Sequence, residues 1–170
     1  MLWFGDLHVV NYLLGARCAQ LDQRFASEFR NNGTETVITD MDFTGGGIRL
    51  GLNAERYSCS RQFSIYGRGV ASFLGGQFRG DYFQGSSSDP EIVHAQWEAG
   101  RIVSILDVEL GANWTSAGGK LRLGAGYLVS SWFNTPKTED FIRSVQRGDF
   151  VRLDDALTFD GLTAHAELRW

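Results

Sequence analysis

The sequence ends on GLTAHAELRW (residues 161–170), a stretch in which apolar and polar residues alternate without interruption. Side chains alternate between the two faces of a β-strand. One face of an extended strand would carry Leu162, Ala164, Ala166, Leu168 and Trp170, and the other would carry Thr163, His165, Glu167 and Arg169. The segment therefore predicts a strand with one apolar face and one charged face.

The same alternation recurs in five earlier segments, at residues 9–25, 47–57, 63–78, 102–114 and 121–133. Strands in soluble proteins are typically about 5–6 residues long, whereas a tilted strand needs roughly 9–11 residues to cross a bilayer. Several of the segments exceed that second length. In each of them an apolar face lies opposite a face of charged and small residues, as in the last strand.

The connections between these segments alternate in length. Long stretches lie at residues 26–42, 80–100 and 134–156, and short ones at 58–62 and 115–119. Long extracellular loops and short periplasmic turns are typical of outer-membrane barrels. The sequence thus predicts an all-β fold with almost no helix: an antiparallel up-and-down transmembrane β-barrel, a single domain over residues 1–170, in the outer membrane of a Gram-negative-type bacterium.

Composition agrees with extended strands and excludes several other classes. The chain has 21 glycines, only 2 prolines and 13% aromatic residues, which suits strands better than helices. No apolar run is long enough for a membrane-spanning helix. A net charge of −4 leaves no basic stripe for a nucleic-acid partner. Cys18 falls in mid-strand and Cys59 at a tight turn, so we expect both to be unpaired.

The charged faces of the strands would line the interior of such a barrel, and the apolar faces would contact lipid. The predicted pore-lining residues are Arg17, Arg49, Asn53, Glu55, Tyr66, Arg68, Asp107, Glu109, Asn113, Arg122, His165, Glu167 and Arg169. The predicted lipid-facing residues are Leu50, Leu52, Ile65, Leu110, Leu123 and Leu168. Leu168 and Trp170 resemble the C-terminal signal by which the barrel assembly machinery recognises its substrates. The expected partners are outer-membrane lipid, that machinery and small solutes.

Several short motifs occur in a defined order: GGIRLGL (46–52), FSIYGRGVAS (63–72), LDVELGANW (106–114), LRLGAGY (121–127), WFN (132–134) and FDGL (159–162). Beyond about residue 40, the chain resembles the C-terminal part of the pore-forming outer-membrane proteins related to the Legionella major outer membrane protein, which are plentiful in planctomycetes. The resemblance implies an outer-membrane barrel that passes small solutes, without a cofactor and without catalytic residues.

Six strands are fewer than the roughly eight with which single-chain barrels begin. The first residues, MLWFGD, also lack the pattern of a signal peptide. We therefore expect this sequence to be the last three hairpins of a larger barrel, from a truncated or mis-started gene product. Its structure should be a curved sheet, and the chain alone should fail as a stable monomeric pore.

The function that these features favour is a porin-like passive pore for small solutes. A plugged structural or anchoring barrel is the first alternative, because inward charges of opposite sign could pair across a narrow interior. A soluble lipid-binding barrel would need the apolar face turned inward. A lipase or acyltransferase is the least favoured alternative, because nothing in the spacing selects a serine partner for His8, His94 or His165.

Overall fold

The computed structural model describes residues 2–3, 8–30, 34–60, 62–86, 92–148 and 155–169. Its elements are β1 (Leu2–Trp3), β2 (His8–Arg30), β3 (Thr34–Tyr57), β4 (Phe63–Ser86), β5 (Val93–Thr115), β6 (Leu121–Phe133), α1 (Thr138–Arg147) and β7 (Ala156–Leu168). The predicted all-β antiparallel fold is confirmed. Trp170, part of the predicted assembly signal, lies outside the described residues.

The strands form a single sheet in which each strand pairs antiparallel with its neighbour in sequence. The sheet is curled strongly enough that the side chain of Arg17 on β2 contacts Asp107 on β5 across the concave side. Among the described residues no pairing joins β7 to β1 or β2. The six long strands therefore make a half-barrel, open along one side.

Tight turns join the strands at one end of the sheet. Between β3 and β4 the N–H of Ser58 donates to the carbonyl oxygen of Phe63 at 2.7 Å. Between β5 and β6, Gly119 has a φ of 69° and its N–H donates to the Ser116 carbonyl at 2.8 Å. That left-handed backbone favours glycine. As predicted, Cys18 lies within β2, Cys59 lies in the β3–β4 turn, and both thiols are free.

Each of the strands β2 to β5 has two parts of opposite polarity, whereas the shorter β6 and β7 continue only the first part. Near the tight turns, the convex face of the sheet is apolar and exposed; Leu110, for example, is 65% exposed. Farther along the same strands, the convex face becomes polar at Gln20, Thr44 and Gln77. From that level on, the concave face carries the apolar side chains, among them a fully buried Phe78. If the convex apolar residues contact lipid, as predicted, the first part is the lipid-crossing band and the second part extends beyond the bilayer.

This reversal of polarity explains where the sequence-based boundaries were wrong. Residues 26–42 and 80–100 were expected to be long loops, but β2, β3, β4 and β5 run through most of them. Because the outward positions there are charged, the segments did not show the pattern of a lipid-facing strand. The expectation of almost no helix also missed α1, which lies within the stretch predicted as the last loop.

The described residues include no helix that is both long enough and apolar enough to span a membrane. The one helix of the described segments, α1, has ten residues and is capped by Gly148, whose φ of 66° allows it to close the last turn. Its acidic residues lie in the first turn and Arg147 in the last, as the helix dipole favours.

The boundary between the two parts of β5 can be tested with one substitution on each side of it. Leu110→Arg places a guanidinium in the lipid-crossing band and should destabilise the membrane-folded protein by about 2–4 kcal/mol. Gln96 is exposed on the same face of β5, beyond the bilayer, beside Asp81. Gln96→Arg should therefore change stability little. Urea unfolding in phospholipid vesicles measures both, and equal effects of the two substitutions would contradict the boundary.

Candidate functional site

The concave face of the lipid-crossing band holds a layered set of charged and polar side chains. At the level of the tight turns, Glu55 of β3 is the central acceptor. Its carboxylate accepts hydrogen bonds from Arg122 at 2.5 Å, Asn113 at 3.0 Å and Tyr57 at 3.0 Å, and a further one from Ser64. These donors come from β3, β4, β5 and β6. A single buried carboxylate thus connects four strands.

Glu109 of β5 is the acceptor of the next layer. It accepts hydrogen bonds from the Tyr66 hydroxyl at 2.7 Å and from the Thr163 hydroxyl at 2.8 Å. Arg68 lies directly opposite on β4, with its Nη1 3.6 Å from the carboxylate. The Arg68 side chain is 51% exposed, whereas that of Glu109 is 11% exposed. The guanidinium therefore keeps much of its contact with solvent.

Asp107 of β5 is the acceptor of the third layer, and its partner Arg17 lies on the distant strand β2. Arg17 of β2 donates to it at 2.6 Å, and Ser130 of β6 donates at 2.5 Å. Arg17 also approaches Ser72 at 3.4 Å and lies 5.9 Å from the centre of the Trp132 ring. The Arg17–Asp107 pair links strands that are three apart in the sheet, so it stabilises the curled shape.

β7 supplies the last charged groups of the concave face. The ring Nε2 of His165 lies 3.0 Å from Oδ1 of Asn113. Glu167 is paired with Arg169 at 2.9 Å. Arg169 follows the last residue of β7, and its N–H donates to the Lys120 carbonyl at 2.8 Å. These residues lie near the tight-turn end of the band.

Arg49 differs from the other concave arginines because it has no hydrogen-bond or ion-pair partner among the described residues. Its Nε is shielded from solvent, as is the unsatisfied Oδ1 of Asn53, which lies four residues along β3 on the same face. Each of the four concave carboxylates of the band, at residues 55, 107, 109 and 167, has an arginine within 4.0 Å. Arg49 is therefore the uncompensated charge of this face.

Strand register thus brings all the predicted pore-lining residues except Arg169 to one concave face, and Arg169, which follows β7, pairs with Glu167 of that face. The predicted lipid-facing residues are exposed on the opposite face, with exposures from 43% to 70%. That the concave face lines a water-filled pore stays a prediction. Sequence reasoning missed the apolar residues above the charged layers, chiefly Phe43, Leu74 and Trp132.

Above these layers, the two ends of the β6–β7 connection are joined by an ion pair. The Lys137 ammonium lies 2.6 Å from the Asp155 carboxylate. This hydrogen bond lowers the pKa of Asp155 and raises the pKa of Lys137. Its stabilisation is complete above the ordinary aspartate pKa and is lost as the pH falls through the lowered value. At high pH the stabilisation by this ion pair is lost only as the pH rises through the raised pKa of Lys137.

A half-barrel with an apolar convex band and a charged concave band defines an outer-membrane β-barrel protein. The comparison with protein families identifies which one. The family described as Legionella pneumophila major outer membrane protein precursor matches residues 2–169. The chain belongs to this family, and it is located in the outer membrane. The resemblance seen beyond about residue 40 is confirmed and extends over nearly the whole chain. Neither the curated proteins nor the solved structures contain a match.

The importance of the Glu55 cluster can be measured by removing its acceptor. Glu55→Ala leaves Arg122 without its partner in a shielded site, and loss of one member of such a pair costs about 3–5 kcal/mol. Glu98→Ala is the matched control, because Glu98 pairs with Arg79 at an exposed site, where an ion pair contributes about 0–1 kcal/mol. Urea unfolding in vesicles compares the variants. Adding Arg122→Ala to Glu55→Ala should restore part of the loss, and no restoration would contradict the pairing.

Proposed function

We propose that this chain forms part of the wall of a passive, porin-like pore for small solutes. The observation that carries the proposal is the pair of concave arginines that keep contact with solvent or lack a partner. Arg68 is half exposed in the middle of the lipid-crossing band, and Arg49 has no partner among the described residues. An ion removed from water without compensation costs several kcal/mol. Water beside these two side chains avoids that cost, and a hydrated interior is what a pore requires.

A second candidate function, a plugged structural barrel, is favoured by a different observation. The Arg17–Asp107 pair crosses the interior, and above it Phe43, Phe78 and Ile105 pack together with about 1% exposure each. Side chains that pack across an interior exclude water from it. The two candidates therefore differ in whether the apolar cluster closes the full cross-section or only one side of it.

Planar-bilayer recording on the full-length protein separates the candidates. A pore should give discrete, reproducible conductance steps, and a plugged barrel should give none.

The proposal also predicts how one substitution changes ion selectivity. Arg68→Glu reverses a charge at mid-depth on the concave face, so the reversal potential in a salt gradient should shift toward cation preference. Arg79→Glu is the matched control, because Arg79 is exposed on the convex face beyond the bilayer. It should leave the reversal potential nearly unchanged. A silent bilayer, or equal shifts for the two variants, would count against a pore lined by Arg68.

A further inference from the structure

The helix α1 lies against the concave face of the part of the sheet that extends beyond the bilayer. Its Phe141 is fully buried and packs with Val37 and Met41 of β3 and with Tyr82 of β4. The ring of Trp97 on β5 lies 6.0 Å from the Phe141 ring. The helix α1 therefore lies in the mouth of the half-barrel.

The wall beneath α1 is shaped to receive Phe141. Gly80 of β4 lies under the ring, and a Cβ atom at that position would come within 2.8 Å of it. At the start of the helix, Thr138 donates to the Gln23 side chain at 3.2 Å, and Gln23 donates to the Pro136 carbonyl at 3.4 Å. A buried ring in a glycine-floored recess, together with polar contacts to β2, fixes α1 in one position.

The opposite side of α1 is polar and exposed. It presents Glu139, Arg143 and Gln146 to a cavity of about 540 Å³. The strands contribute Phe25, Glu35 and Gln84 to the same cavity. Val37, Tyr82 and Ile142 line the cavity as well, so the open space beside the helix is bordered by apolar side chains together with charges of both signs.

We propose that α1 is the constriction of the pore, and that solutes pass along its polar side. The inference rests on the proposed function. A helix with its side chains is about 10–12 Å across. Barrel diameter grows with strand number from the roughly eight-stranded barrel whose interior is filled by its own side chains, so a barrel of which six strands form half is wide enough to admit a helix. A helix held inside the mouth therefore takes a large share of the open cross-section. A helix that only covers the apolar cluster from water would not govern the passage of solutes.

The experiment releases α1 in two ways and measures what passes. Phe141→Ala removes the ring, and Gly80→Val fills its recess while keeping the ring. Both are made in the full-length protein and recorded in planar bilayers, with liposome swelling in sugars of increasing size. We expect a conductance increase of roughly twofold or more, since an object about 10–12 Å across leaves the mouth, together with a larger exclusion limit. Phe73→Ala is the matched control, because Phe73 is a convex-face phenylalanine of the same strand as Gly80.

Limited trypsin digestion reports independently whether the helix is released. Cleavage after Arg143 and Arg147 should be slow in the wild type and in Phe73→Ala, and fast in both release variants. If neither release variant is cleaved faster, the docking that the inference requires is wrong.

The outcomes separate this inference from the proposed function. A conducting wild type whose exclusion limit is unchanged by release of α1 would overturn the constriction and leave the pore. A silent wild type with conducting release variants would support α1 as the obstruction and overturn the open pore. Silence in all variants, with the helix shown to be released, would overturn both.

Discussion

The structure depends on the requirement that backbone amides in hydrocarbon be hydrogen bonded to other backbone groups. In this chain every long strand meets the requirement by pairing with its neighbour in sequence. Because backbone pairing does not involve the side chains, the polarity of the side chains on each face can match the medium that the face contacts. In the predicted orientation, lipid outside selects leucines such as Leu50 and Leu110 on the convex face, and the concave face accepts Glu55, Glu109 and Arg68. The same ladder continues beyond the bilayer, where no lipid covers the convex face.

The reversal of polarity at Thr44 and Gln77 follows from that loss of lipid. Once water contacts the convex face, the apolar residues move to the concave face, because that is where they can be buried. A single curved sheet covers such a surface only in part, so the extension requires another element on its inner side. α1 supplies it through Phe141. The position of the helix is thus a consequence of where the lipid-crossing band ends.

The lipid-crossing band could be predicted from the sequence because alternation with a period of two places its apolar residues on the convex face and its polar residues on the concave face. Leu121–Phe133, strand β6, was predicted with the bounds that the structure has. In the extension the same alternation places polar residues on the convex face and apolar residues on the concave face. Charged residues such as Asp40 and Asp81 were therefore assigned to loops. The helix gave local signals that were overlooked: Glu139 and Asp140 in its first turn, Arg147 in its last, and Gly148 after it. Its docking could not be predicted, because the contact between Phe141 and Gly80 joins segments far apart in sequence.

The concave side has a charged region and an apolar region at different heights, and the charges limit the levels from which water can be excluded. In the Arg17–Asp107 pair and in the Arg122–Glu55 pair, the two opposite charges compensate each other, so each pair tolerates exclusion of water. Arg49 has no such compensation within the described part of the chain. A seal along the whole height of the interior would leave its charge without water or a partner, at a cost of several kcal/mol. Closure is therefore more favourable at the mouth, where the walls are apolar and α1 lies. In the pore that we propose, an obstruction at the β6–β7 connection would leave the level of Arg49 hydrated, and its charge would then need no partner within the described part of the chain.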